Sequence, residues 1–169
     1  MKLRYSIALS LPLASASAMA ADLALKLDVP QLNVAEYHRP YIAAWLENAD
    51  QKVVANLAVL YDVKKKDNAG TKWLKDVRQW WRKSGRDVEM PMDGVSGATK
   101  APGEQTLSVS KAALDKLPAG QYTLLVEAAR EAGGREVVKV PLQWPPKSAQ
   151  NVTGQGKEEL GAVVVQLKP

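Results

Sequence analysis

Two hydrophobic periods alternate along the chain, and their boundaries divide it into elements. Leu23, Leu25, Leu27 and Val29 recur at every second residue between Ala24, Lys26 and Asp28, the pattern of a half-buried strand. Tyr41 to Glu47 keeps that period with apolar groups on both sides: Tyr41, Ala43 and Trp45 on one, Ile42, Ala44 and Leu46 on the other. The turn cluster Asn48 to Gln51 joins it to the apolar run Val53 to Tyr61, so the two read as a hairpin whose second strand can face protein on both sides. After residues 64–70 the period changes. In TKWLKDVRQWWRK, Trp73, Leu74, Val77, Trp80 and Trp81 share one helical face, while Lys72, Lys75, Asp76, Gln79 and Arg82 fall mostly on the other. This predicts a short amphipathic helix ending near Ser84-Gly85, its tryptophans packed across an open side of a sheet. A period of two returns at residues 106–110, and residues 112–116 read as a helical turn. Residues 122–130 and 135–144 flank Glu131 to Gly134 as a second hairpin. Residues 145–157, rich in Pro, Gly, Ser, Gln and Asn, read as a connection, and residues 162–167 as a closing strand. About seven strands and one helix predict an all-β protein, an immunoglobulin-like β-sandwich.

Composition adds a location and removes several chemistries. The chain has 169 residues, enough for one domain, and its 46% apolar content permits a real core. Met1 to Arg4 is basic, Ile7 to Leu13 is apolar apart from one serine, and Ala18-Met19-Ala20 matches the small-x-small cleavage pattern. Residues 1–20 therefore read as a cleavable signal peptide and residues 21–169 as a single exported, periplasmic domain. Without Lys2 and Arg4 there are 21 basic and 18 acidic residues, a net charge of +3. That excess is mild and its residues are scattered among acids, apart from Lys64-Lys65-Lys66 and residues 72–83; a nucleic-acid binder shows a denser stripe, which argues against nucleic acid as a partner. There is no cysteine, which excludes thiolate metal sites and cofactors linked through sulfur. His38 is the only histidine, so a zinc site built from histidines is excluded as well.

Candidate chemistry is sparse. The carboxylates form no persuasive catalytic pair, Ser96 and Ser108 lack a nucleophile-elbow setting, and one histidine leaves little room for a triad. No catalytic residue is assigned. Glu36 to Tyr41 (EYHRPY) is dense in polar and aromatic groups just before a strand. His38 there can titrate or donate, although a lone loop histidine is usually structural. Arg39 is the stronger candidate, because a guanidinium holds a phosphate with two parallel hydrogen bonds.

The most specific segment is DGVSGAT, Asp93 to Thr99. Asp93-Gly94 favours a tight bend, and Gly97 tolerates positive φ. The segment also resembles the motif Asp-Gly-x-Ser/Thr-Gly-Ala-Ser/Thr of flavin-carrying proteins of bacterial envelopes, such as subunits of sodium-pumping quinone reductases. Asp93, Gly94, Ser96, Gly97, Ala98 and Thr99 satisfy every constrained position. The resemblance implies that a periplasmic FAD:protein FMN transferase attaches FMN to the Thr99 hydroxyl through a phosphodiester. Small residues at Gly97 and Ala98 let the backbone enter the transferase cleft as a thin arm. Pro102 and Gly103 oppose the helix that usually follows this motif, so the surrounding fold is a different one.

A second resemblance covers most of the chain. EYHRPYIAAWLEN, KWLKDVRQWW, DGVSGATKAPGE and LPAGQYTLLVEAAREAGGRE occur in this order in an uncharacterised family of predicted periplasmic proteins, similar to immunoglobulin-like sandwiches and encoded beside flavin transferases and PepSY-type membrane proteins. This implies a periplasmic electron carrier, flavinylated on Thr99, exchanging electrons with a membrane or periplasmic redox protein and linked to iron. His38, Arg39 and one helix tryptophan are the expected flavin contacts. The rival expectation is a non-redox binding or scaffolding module in which DGVSGAT is only a loop.

Overall fold

The computed structural model describes residues 21–169, and the signal peptide read in residues 1–20 lies outside them. Two sheets stack face to face. One has the order β5-β1-β9-β8, built from β1 (Asp22–Val29), β5 (Gly103–Ser108), β8 (Gln150–Gln155) and β9 (Ala162–Lys168). The other has the order β4-β3-β2-β6-β7, from β2 (Tyr41–Glu47), β3 (Val53–Tyr61), β4 (Ser96–Ala98), β6 (Gly120–Ala129) and β7 (Arg135–Trp144). Every pairing is antiparallel except that of β3 with β4. This is the expected all-β sandwich, with nine strands among the described residues rather than about seven. The two unforeseen strands have physical reasons for being silent. β4 is three small residues without a hydrophobic period. β8 is a mostly exposed polar edge, placed within the expected connection by its backbone pairing to β9.

The periods read from the sequence sort the side chains into two cores. Leu25, Leu27, Ile42, Leu46, Leu124, Val126, Val163 and Val165 fill the space between the sheets. The alternate residues of β2 and β3, among them Trp45, Val59 and Tyr61, form a second core on the outer face of the five-stranded sheet, together with Leu74, Val77, Trp80 and Leu125. Every residue of β2 is consequently buried. Tyr122, at the start of β6, donates its hydroxyl to the Pro118 carbonyl at 2.8 Å, the corner by which a tyrosine anchors a strand entry in immunoglobulin-like sandwiches.

The outer core is covered by residues 66–87, and here the expected single helix is corrected. Lys66–Asp76 is 3₁₀, interrupted at Asp67 and Asn68, and only Arg78–Lys83 is α-helical (α1), with a break at Val77. A 3₁₀ turn has 3.0 residues rather than 3.6, so the buried line becomes Leu74, Val77 and Trp80. Trp81 is half-buried, and Trp73 is turned outward, 45% exposed. Glu127, wholly buried on β6, holds the start of α1: its carboxylate accepts the Gln79 and Trp80 backbone N–H groups at 3.0 and 2.8 Å, and Arg135 neutralises it at 2.9 Å. A second short helix, α2 (Lys111–Leu114), closes the connection between β5 and β6.

Candidate functional site

The DGVSGAT segment is a turn followed by a strand rather than a free arm. The Met92 carbonyl accepts the backbone N–H groups of Val95 and Ser96, closing the turn, and Gly94 sits at φ +67°, where only glycine is at ease. Positive φ is needed at Gly94 and not at Gly97, which corrects the sequence expectation. Gly97 answers to space: a Cβ there would stand 3.1 Å from Leu60 Cδ2 of the neighbouring strand. β4 pairs in parallel with β3, setting Ser96, Gly97 and Ala98 against Val59, Leu60 and Tyr61. The chain then leaves this sheet and crosses to β5 of the other, so Thr99 stands at the open margin of the sandwich.

The two hydroxyls of the motif are thereby separated. Ser96 Oγ accepts the Met92 N–H at 2.8 Å and belongs to the turn. Thr99 is half-buried and lines a cavity of about 310 Å³ that also includes His38, Arg39 and Trp73. A second, shallower cleft meets the first at Arg39, Asp62 and Thr99, and adds Ala98, Lys64 and Lys65. Residues more than fifty positions apart in sequence therefore converge on one hydroxyl. Asp93 and Gly94 are exposed in the turn and border neither cleft, and Gly97 packs on β3.

The two clefts differ in character. The more enclosed one carries aromatic walls and a polar rim. His38 lies between two carboxylates, with Nε2 3.2 Å from Glu36 and Nδ1 3.7 Å from Glu131. Tyr41 donates to the Gly70 carbonyl at 3.2 Å, and burial, reinforced by the nearby Asp62 and Glu131 carboxylates, pushes its phenol up to about 12. It stays a neutral donor at any physiological pH. The Tyr37 phenol is also raised, by burial, against the opposing pull of Arg130. Its hydroxyl is the one buried side-chain polar atom without a hydrogen-bond partner among the described residues. The shallower cleft has Arg39, Lys64 and Lys65 on the same lining as Thr99; Lys65 is paired with Asp62 at 3.3 Å, which leaves Arg39 and Lys64 as the cations open to a phosphate.

Tyr37, Tyr41, Asp62, Lys64, Lys65 and Glu131 join the site although the sequence did not mark them. Tyr37 and Tyr41 flank His38-Arg39 in EYHRPY and could have been found by proximity; the others come from loops brought near only by sheet pairing. Among the described residues no group of three or more His, Cys, Asp or Glu is arranged to hold a metal ion, and no helix is long and apolar enough to cross a membrane.

Comparison with curated proteins and with solved structures finds no match. A family model described as "Predicted periplasmic protein (DUF2271)" matches residues 22–162, the whole sandwich up to the start of its last strand, and supports a periplasmic location. The chain belongs to this family.

Proposed function

We propose that the protein is a periplasmic electron carrier bearing FMN on Thr99, attached by an FAD:protein FMN transferase. In the attachment step the Thr99 Oγ1 attacks the FMN phosphorus of FAD. A phosphodiester forms, the pyrophosphate bond breaks, AMP leaves, and the hydroxyl proton passes to a base of the transferase. The observation that carries the reading is the separation of the motif's hydroxyls: Ser96 is committed to its turn, while Thr99 borders two clefts, one with aromatic walls and one with cations on its lining.

The residues present fit the group. A volume of about 310 Å³ lies at the lower end of ligand pockets, enough for a planar ring system rather than an entire nucleotide. Trp73 and Tyr41 offer the aromatic wall, and the unpartnered Tyr37 hydroxyl offers a hydrogen bond to a polar edge. Arg39 and Lys64 would hold the phosphodiester charge, Lys65 being paired with Asp62 at 3.3 Å. Bound FMN supplies reversible uptake and release of electrons. His38, flanked by Glu36 and Glu131, lies on the lining of the same cavity. A membrane or periplasmic redox protein would be the electron partner.

Mass spectrometry of the protein co-expressed with a flavin transferase tests this reading. The expected product carries one FMN on the peptide containing Thr99, with yellow fluorescence that survives denaturing electrophoresis. It disappears in Thr99→Ala and persists in Ser96→Ala. An unmodified Thr99, beside a control substrate that the same transferase labels, would reject the reading and leave a non-redox binding module as its successor.

A further inference from the structure

The charge of the chain is unevenly placed. Residues 64–86 hold nine Lys and Arg against two Asp, a net +7, whereas the remainder of residues 21–169 holds twelve basic and sixteen acidic groups, a net −4. The fold converts this segment into a stripe. Lys72, Lys75, Arg78 and Arg82 follow one another at spacings of three, three and four, one turn each in the 3₁₀ and α parts of the segment. Leu74, Val77 and Trp80 point into the outer core, and all four cations are exposed. Continuity across the break at Val77 is preserved, because Lys75, Arg78, Trp81 and Arg82 border one open cleft with Arg135, where Asp76 is the single carboxylate. Among the described residues none of Lys72, Lys75, Arg78 and Arg82 has a carboxylate within ion-pair distance, unlike Lys83 and Arg135, which are held by Glu47 and Glu127.

One apolar group accompanies the stripe. Trp73, between Lys72 and Lys75, is the only exposed aromatic residue among the large exposed apolar residues described; the others, Val34 and Val54, lie elsewhere in the chain. A protein interface of ordinary stability has an apolar centre ringed by charge, and this face has a line of charge with a single indole. An anionic phospholipid surface suits it better. Its negative charge is laterally mobile, asks for no matching shape, and accepts a tryptophan at headgroup depth.

We infer that the 72–82 face is a reversible docking surface for anionic phospholipid headgroups. Docking there sets the cavity beside Trp73 and Thr99 at the margin of the membrane, where a membrane-bound partner can reach it. The inference does not depend on a flavin being attached.

Sedimentation of the purified protein with phosphatidylcholine vesicles, with and without about 40% phosphatidylglycerol, tests it at roughly 50 mM salt. The protein is expected to pellet with the anionic vesicles only, and to be released at about 0.5 M salt. The exposed triple change Lys75→Glu, Arg78→Glu, Arg82→Glu is expected to weaken binding by roughly tenfold or more. The same three positions changed to Gln should give an intermediate loss, which guards against misfolding of the Glu variant. An equal reversal elsewhere, Lys116→Glu, Lys147→Glu, Lys168→Glu, should leave most of the binding. Vesicles should also shift the tryptophan fluorescence to the blue, and Trp73→Ala should remove that shift. The inference is overturned by failure to pellet at low salt, by equal loss in the two Glu variants, by a shift that persists without Trp73, or by capture of soluble polyglutamate but not of vesicles.

Discussion

Thr99 and Ser96 show how two hydroxyls three residues apart acquire different fates. Ser96 Oγ is occupied by the Met92 N–H, so its removal costs one neutral hydrogen bond, about 1 kcal/mol. Ser96→Ala is therefore expected to unfold at slightly lower urea concentration while keeping the flavin label, and Thr99→Ala to keep its stability and lose the label. Gly94 makes the complementary prediction. Ala at φ +67° costs about 1–2 kcal/mol, read as a lowered urea midpoint of unfolding at unchanged slope. The motif was legible as a turn because Asp-Gly has a local preference. The reason for Gly97 was not, since it depends on Leu60 of another strand, and no local rule reports what lies across a sheet.

At the scale of elements, two acidic anchors, Glu127 buried and Glu136 half-buried, hold the segments that the periods alone could not place. Glu127 takes both N–H groups at the start of α1, which ties residues 66–87 to β6. Glu127→Ala would leave the buried Trp80 N–H without its acceptor while Arg135, 40% exposed, turns to solvent, and is expected to cost about 1–3 kcal/mol. Amide exchange, monitored residue by residue, should show residues 78–83 losing protection before the strands do. Glu136 plays the corresponding part for the loop before β9, accepting the backbone N–H groups of Lys157, Glu158, Glu159 and Leu160 at 2.6–3.0 Å. Burial acts to raise its pKa, but the four N–H groups together outweigh it and hold the carboxyl below its ordinary 4.5. A depressed carboxyl stabilises the fold above its unfolded pKa and loses that contribution as pH falls through the folded value. Glu136→Gln should therefore be less stable than the parent by about 1–3 kcal/mol at pH 7, and the gap between their urea midpoints should close as the pH is taken below about 4. The 66–87 segment was legible as amphipathic but not as 3₁₀. Its pattern satisfies either period over so few turns, and Glu127 decides which N–H groups start the α-helix.

Across the whole molecule, β2 couples the two cores, because its alternate residues belong to different ones: Ile42, Ala44 and Leu46 to the space between the sheets, Tyr41, Ala43 and Trp45 to the outer core. The two cores should consequently melt together. Trp80→Ala in the outer core and Leu124→Ala between the sheets are each expected to lower a single calorimetric transition, at a cost of about 2–5 kcal/mol, without splitting it. The sequence by itself determined the alternation that gives β1, β2, β3, β6, β7 and β9 and the apolar pattern on both sides of β2, and it named His38, Arg39 and Thr99 as candidates. These are local matters of period, turn chemistry and residue type. Only the tertiary structure decided that Ser96 is spent on a turn while Thr99 opens on a cavity, that β4 and β8 exist as edges, and that Lys64, Lys65, Asp62 and Glu131 gather beside Arg39. Each of those depends on pairing between segments distant in the chain. Such pairing arises from the burial of both faces of a sheet at once, and no window of neighbouring residues contains it.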